Sequence, residues 1–271
     1  MFKSILLPIG NDEDVNTRIE SAIVIAKKFD AHVKGLHVVP TLKSLERLTP
    51  YAYYSYDLYT HIWETQKSKA VEQKKNFLDM IKANIKSYEW CEKEGDFMQF
   101  LKQYSRTSDL TIFSQVDDTY TDIMGTMARF MMESSLPVLT VPSGGINDNI
   151  GDNILIAWDA SAESARAVHD AMPFLKVAKK VTVVSISENK KNDTPTDKIC
   201  EMLKRNGIKA KGINEEEHYD RASRILQLAK ELDVSLIVAG AWGHTRLLEI
   251  IFGGVTKTLF TNQEISVFFS H

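Results

Sequence analysis

Two cysteines in 271 residues, Cys91 and Cys200, are too few for a disulfide framework, and no CxxC or paired histidine makes them a zinc site. A reducing compartment, the cytoplasm, is the simplest inference. Proline and glycine are sparse, at 7 and 13 residues, which excludes collagen-like and low-complexity chains. No segment reaches the roughly 18 uninterrupted apolar residues of a membrane helix. The opening run Ile5-Leu6-Leu7 is too short for a signal peptide and meets Asn11-Asp12-Glu13-Asp14 at once. The formal net charge of −3 gives no general grip on nucleic acid or an acidic membrane, so neither is expected as a partner. Also missing are G-x-G-x-x-G, G-x4-G-K-[ST], G-x-S-x-G and H-E-x-x-H. No nucleophile stands with a base, so no catalytic residue and no metal site is expected.

What is present is an ordinary globular composition, 44% hydrophobic and 25% charged, and a hidden repeat. Each half opens with a short apolar run, Ile5 to Ile9 and Ile154 to Trp158, of the kind that suits strands buried on both faces. A helical pattern follows each. Val15, Ile19, Ala22, Ala26 and Phe29 recur behind Asp12 or Asp14 as a cap. Ala165, Val168, Ala171 and Leu175 recur behind Asp159 or Ser161. Second strands come next, Val33 to Val39 and Val181 to Ile186, giving βαβ twice.

The halves also end alike. Amphipathic helices around Phe97 to Tyr104 and Ile225 to Leu232 precede buried strands at Leu110 to Phe113 and Leu236 to Ala239. Ile123 through Pro142 aligns without gaps on Ile251 through Ser270, each with a glycine opening a short helix before a terminal strand. A duplication explains all these correspondences, and one continuous domain explains none. The expected domains are residues 1–143 and 153–271, joined by a Gly- and Asn-rich linker at 144–152. An aromatic insertion from Tyr51 to Trp63 has no counterpart in the second half and is expected to pack against the other half, a lid or a partner surface being the alternatives.

In an open parallel sheet, ligands bind beyond the carboxyl ends of the strands. There the second half carries Gly240-Ala241-Trp242-Gly243-His244, then Gly253-Gly254-Val255-Thr256 opening a helix. Glycines admit a ligand close to the backbone, and a helix start offers N–H groups to an anion. His244 and Arg246 are alternatively plain solvent-facing loop residues. The spacing of Gly240, Gly243 and Gly253 resembles the nucleotide loop of the universal stress protein family, G-x2-G-x9-G-[S/T]; Asp159 and Pro137-Val138-Leu139 match further family positions.

The resemblance covers nearly the whole chain as two copies. It implies α/β layers of Rossmann type, two tandem open five-stranded parallel sheets like those of the adenine nucleotide α-hydrolases. It also implies a stress-response protein that binds ATP or another adenine nucleotide, with or without Mg2+, at most slowly hydrolysing it. Adenine would lie near Ala157, Trp158, Asp159 and Ile186, and the phosphates along Ala239, Gly240, Gly243, His244, Gly253, Gly254, Val255 and Thr256. Pairing of the two halves through their last strands or adjoining faces is expected, with a further homodimer open.

Departures matter. Gly254 stands where Ser or Thr is usual, and Trp158 either stacks on adenine or fills the pocket. Asp159 is equally a helix cap. In the first half Gly10 replaces Asp159, Ser114-Gln115-Val116-Asp117 replaces the paired glycines, and Asp117, Asp118 and Asp122 would repel polyphosphate. That site is expected to be degenerate. The alternative function is a nucleotide-free interaction scaffold with plugged pockets. Ser143-Gly144-Gly145 superficially suggests a pyrophosphatase loop but follows the last strand of a repeat instead of the first.

Overall fold

A computed structural model describes residues 1–41, 56–115, 121–134, 136–187, 196–216, 220–241, 254–262 and 264–271. The chain divides into two compact units, Phe2–Ile112 and Phe113–His271, with Met1 belonging to the second.

The first unit comprises β1 (Ser4–Ile9), α1 (Val15–Phe29), β2 (His32–Val39), α2 (Tyr56–Lys82), β3 (Tyr88–Glu94), α3 (Phe97–Ser105) and the start of β4 (Leu110–Ser114). Its strands run parallel in the order β3-β2-β1-β4. β1 is buried from Ile5 onward, as its unbroken apolar run requires. α1 begins after Asp14, whose side chain makes no capping bond. The end of the aromatic insertion, Tyr56 to Trp63, opens the long helix α2; farther along, buried Ala70, Phe77 and Ile81 recur at helical spacing, and the helix packs against α1, β2 and β3. Residues 51–55 of that insertion lie outside the described residues.

The second unit contains α4 (Thr121–Ser134), β5 (Val138–Val141), β6 (Asn153–Ala157), α5 (Ala162–Asp170), α6 (Met172–Leu175), β7 (Lys180–Ser187), α7 (Thr196–Arg205), β8 (Ala210–Glu216), α8 (Arg221–Glu231), β9 (Leu236–Gly240), α9 (Gly254–Phe260) and β10 (Ser266–Ser270). The strand order is β5-β10-β9-β6-β7-β8, all parallel except the antiparallel pair β5–β10. The single helix expected through Leu175 breaks at Ala171, because Pro173 begins a new turn there. The Gly- and Asn-rich segment after β5 is a chain of tight turns, with Gly145 N, Ile150 N and Asp152 N each donating three residues back.

Register repeats across the two βαβ units. Ile5 pairs with Val33 and Leu110, and Ile154 pairs with Val181 and Leu236. The same residues that align in sequence therefore occupy the same rungs.

One expectation needs correction. α4 starts at Thr121, so Gly125 lies inside that helix and does not open it. The first-half loop is shorter than its counterpart, which lets the helix begin earlier. A Cβ on Gly125 would meet nothing within 4 Å. Gly125→Ala is therefore expected to stabilise the protein by about 0.5–1 kcal/mol, read as a higher thermal midpoint.

Candidate functional site

The carboxyl ends of β6 and β9 lie side by side, with Ala157 paired to Ala239, and Ala239 paired in turn to Phe269 of β10. Small side chains thus line the point where the order turns back on itself, β6 being flanked by β9 and β7. Ladder bonding continues one residue past β6, where Trp158 N donates to Val184 O at 2.8 Å. Trp158 and Ile186 are each half-buried there.

The chain then turns sharply into α5. Ala160 takes φ +60, a left-handed conformation that costs a non-glycine residue energy and is held by its neighbours. Asp159 Oδ1 accepts hydrogen bonds from Ser161 N at 3.0 Å and Ser161 Oγ at 2.6 Å. Ser161 is the N-cap, its Oγ accepting from Ser164 N at 3.1 Å. The cap is thus Ser161, and Asp159 braces it from behind. Desolvation pushes the Asp159 carboxyl up, but the hydrogen bonds from Ser161 and Ser164 outweigh it and hold it below the ordinary value. Asp159 is exposed and accepts both Ser161 bonds on one oxygen, so Oδ2 makes neither of them. An ionised, braced carboxylate of this kind suits a hydroxyl or amino donor and repels phosphate.

Gly240 ends β9 beneath α5. A Cβ there would stand 2.6 Å from Ser164 N and 2.7 Å from the Glu163 carbonyl carbon. The glycine therefore has a packing reason as well as any ligand reason. Beyond it, Ala241 N donates to Ser270 O at 2.9 Å, and His271 Nδ1 donates to Ala241 O at 2.8 Å. Gly243, His244, Arg246 and Gly253 lie outside the described residues. Gly254 opens α9, is exposed, and has no atom within 4 Å of a built Cβ. Val255 is half-buried and Thr256 buried.

The corresponding end of β1 in the first half is filled. Arg18 of α1 occupies the place aligned with Ala167. Its Nε donates to Pro8 O at 3.0 Å, and its two terminal nitrogens donate to the Asp12 carboxylate at 3.0 and 2.8 Å. Asn11 Nδ2 donates to Gln66 Oε1 of α2 at 2.7 Å, and buried His37 Nδ1 donates to Ile9 O at 2.9 Å. At the end of β4, buried Gln115 stands at the position of Ala241 and donates through Nε2 to Ile265 O at 2.7 Å. Arg18 carried no motif; only its alignment with alanine signalled a different use of that space. Asp117 and Asp118 lie outside the described residues, as does the side chain of Asp122.

In an open α/β sheet of this order, ligands bind beyond the carboxyl ends of the strands, where Ala157 and Ala239 stand here. Residues 151–271 match the model of the Universal stress protein family, and this half of the chain is a universal stress protein domain. Over the whole chain the fold is similar to that of a universal stress protein from Archaeoglobus fulgidus DSM 4304, with TM-score 0.79 and 19% identity, covering 98% of this chain and 95% of that one. A putative universal stress protein from Pseudomonas aeruginosa UCBPP-PA14 gives TM-score 0.62 and 17% identity, covering 99% and 93%. At these identities the likeness speaks for fold. No curated protein matches the sequence. Among the described residues, no helix is long and apolar enough to cross a membrane.

Proposed function

We propose that the C-terminal half binds an adenine nucleotide, ATP in the first instance, as a regulatory ligand and not as the substrate of a dedicated catalyst. The carrying observation is the contrast between the halves: the small residues Ala157 and Ala239 stand side by side at the ends of β6 and β9, while Arg18 bonds Pro8 O and Asp12 across the end of β1. In this reading adenine lies against Trp158 and Ile186, and Asp159 accepts from the nucleoside. The phosphates follow Gly240, Gly243, His244 and Gly253 to Gly254, Val255 and Thr256, and Mg2+, where it accompanies the nucleotide, would offset their charge.

Calorimetry with ATP should find one site per chain, with adenine required. Gly254→Ser restores the hydroxyl usual at that position, into open space. Since a hydrogen bond to a charged group is worth about 1.5–3 kcal/mol, affinity should rise about tenfold or more with an unchanged ligand-free melting point. Absence of any thermal stabilisation at millimolar ATP with magnesium would favour the second reading, a scaffold whose pocket Trp158 fills.

We further propose that the halves, taken as residues 1–143 and 153–271, pair through their last strands in place of a dimer of single domains. The register of β5 on β10 supports this. Exchanging the two aligned segments carries the pair Thr140–Val267 onto Phe268–Leu139, as a two-fold interface requires. A cytoplasmic setting fits the free thiols of Cys91 and Cys200.

A further inference from the structure

Net charge averages over a local asymmetry at the amino-terminal rim of the second unit's sheet, the end opposite Ala157 and Gly240. The turn between α6 and β7 reads Lys176-Val177-Ala178-Lys179-Lys180, and the neighbouring strand begins Lys209-Ala210-Lys211. All five lysines are exposed. Pairing starts at Val181 with Ala210, which sets Lys180 beside Lys209 on strands about 4.8 Å apart. Lys179 is matched by Asp152 at 2.7 Å. The ammonium groups of Lys176, Lys180, Lys209 and Lys211 have no carboxylate or hydrogen-bond partner among the described residues. In their midst Val177 is 46% exposed, among the few large aliphatic side chains left in water.

Like charges on adjacent strand starts repel, and among the described residues no ion pair offsets Lys180 or Lys209. We propose that this rim docks reversibly on an anionic lipid surface, its lysines among the headgroups and Val177 in the layer beneath. Three features favour lipid over other polyanions. The free cations are all lysine, compact point charges on flexible stems, without the arginine forks that grip carboxylates or single phosphates bidentately. Among the described residues the rim exposes no aromatic side chain on which a base would stack, Phe174 beside it being buried. An aliphatic group set among lysines matches the layering of a membrane interface, charge outside and hydrocarbon below. The strands being parallel, docking at this rim leaves the carboxyl ends of β6 and β9 uncovered.

The test is sedimentation of the full-length protein with vesicles of phosphatidylcholine alone or mixed with phosphatidylserine, at low and high salt. Each lysine near such a surface contributes about fivefold in affinity, so the four together should favour acidic vesicles by roughly several hundredfold at low salt. High salt should abolish the preference. Lys180→Glu with Lys209→Glu should weaken binding at least about a hundredfold, and Val177→Ala a few-fold, with unchanged thermal midpoints because all three positions are exposed. Equal binding to both vesicle types, or a double variant that binds like the parent, overturns the proposal. So does tighter binding to a single-stranded oligonucleotide or a polyglutamate peptide than to the acidic vesicles at equal anionic charge, which would assign the rim to nucleic acid or to an acidic protein.

Discussion

Replacing Arg18 by alanine is expected to destabilise the first unit by about 3 kcal/mol at neutral pH. The Arg18 side chain is only 7% exposed, and its three bonds hold the Pro8 carbonyl and both oxygens of Asp12. Truncation leaves the carbonyl without that donor and the carboxylate without its cation. Asp12 is itself 42% exposed, so water partly takes over, which places the loss at the low end of the range for broken buried pairs. The pH dependence separates this cause from simple loss of packing. Desolvation pushes the Asp12 carboxyl up, but the hydrogen bond and charge of Arg18 outweigh it and hold it below its ordinary 3.8. A carboxylate with a depressed folded-state value stabilises above its unfolded value and loses that contribution as pH falls through the folded one. The gap between parent and variant should therefore be widest near neutrality and shrink below about pH 4. Urea denaturation at pH 7 and in acid reads both, and Arg18→Lys should fall between, keeping charge without the fork. Equal urea midpoints at pH 7 would show that this pair does not hold the end of β1. Removing Arg18 is not expected to create a nucleotide site, because Gly10 supplies no carboxylate where the second half has Asp159.

What the sequence made legible was periodicity and repetition. Buried strands such as β1, β6 and β9 announce themselves by unbroken runs of Ile, Leu and Val, because both faces are covered. The edge strands β3 and β8 do not. Tyr88–Glu94 and Ala210–Glu216 alternate exposed and half-buried residues and carry glutamates and lysines, so nothing local separates them from polar loops. The start of α4 was missed because Gly125 matched a glycine that opens a helix in the other copy, and a shorter loop shifts that start without changing the motif. At the site, the glycine register points to the ends of β6 and β9, but Arg18 at the end of β1 depends on contacts six and ten residues away in sequence that no motif encodes. Asp159 was legible as a site-facing carboxylate or a helix cap. The division of labour with Ser161 required the Ala160 turn to be seen.

Gly240→Ala should lower stability by about 3 kcal/mol with no nucleotide present. A methyl group at this position would lie 2.6 Å from Ser164 N and 2.9 Å from Glu163 Cβ, and the first of these is backbone. Relief would require α5 to lift from β9, yet α5 is pinned at both ends. The Asp159–Ser161 turn fixes its start, and Ser270 Oγ bonds Asp170 Oδ2 at 2.6 Å near its end. For a unit of this size the cost corresponds to a fall of roughly 6–12 °C in thermal midpoint. The measurement is a melt of the ligand-free variant beside that of Gly254→Ser. The Gly240→Ala midpoint should fall while that of Gly254→Ser stays put, since Gly254 has open space where Gly240 has a helix against it. An unshifted midpoint for Gly240→Ala, with nucleotide binding lost, would mean that this glycine is kept for the ligand alone and that α5 yields more readily than its two anchors imply.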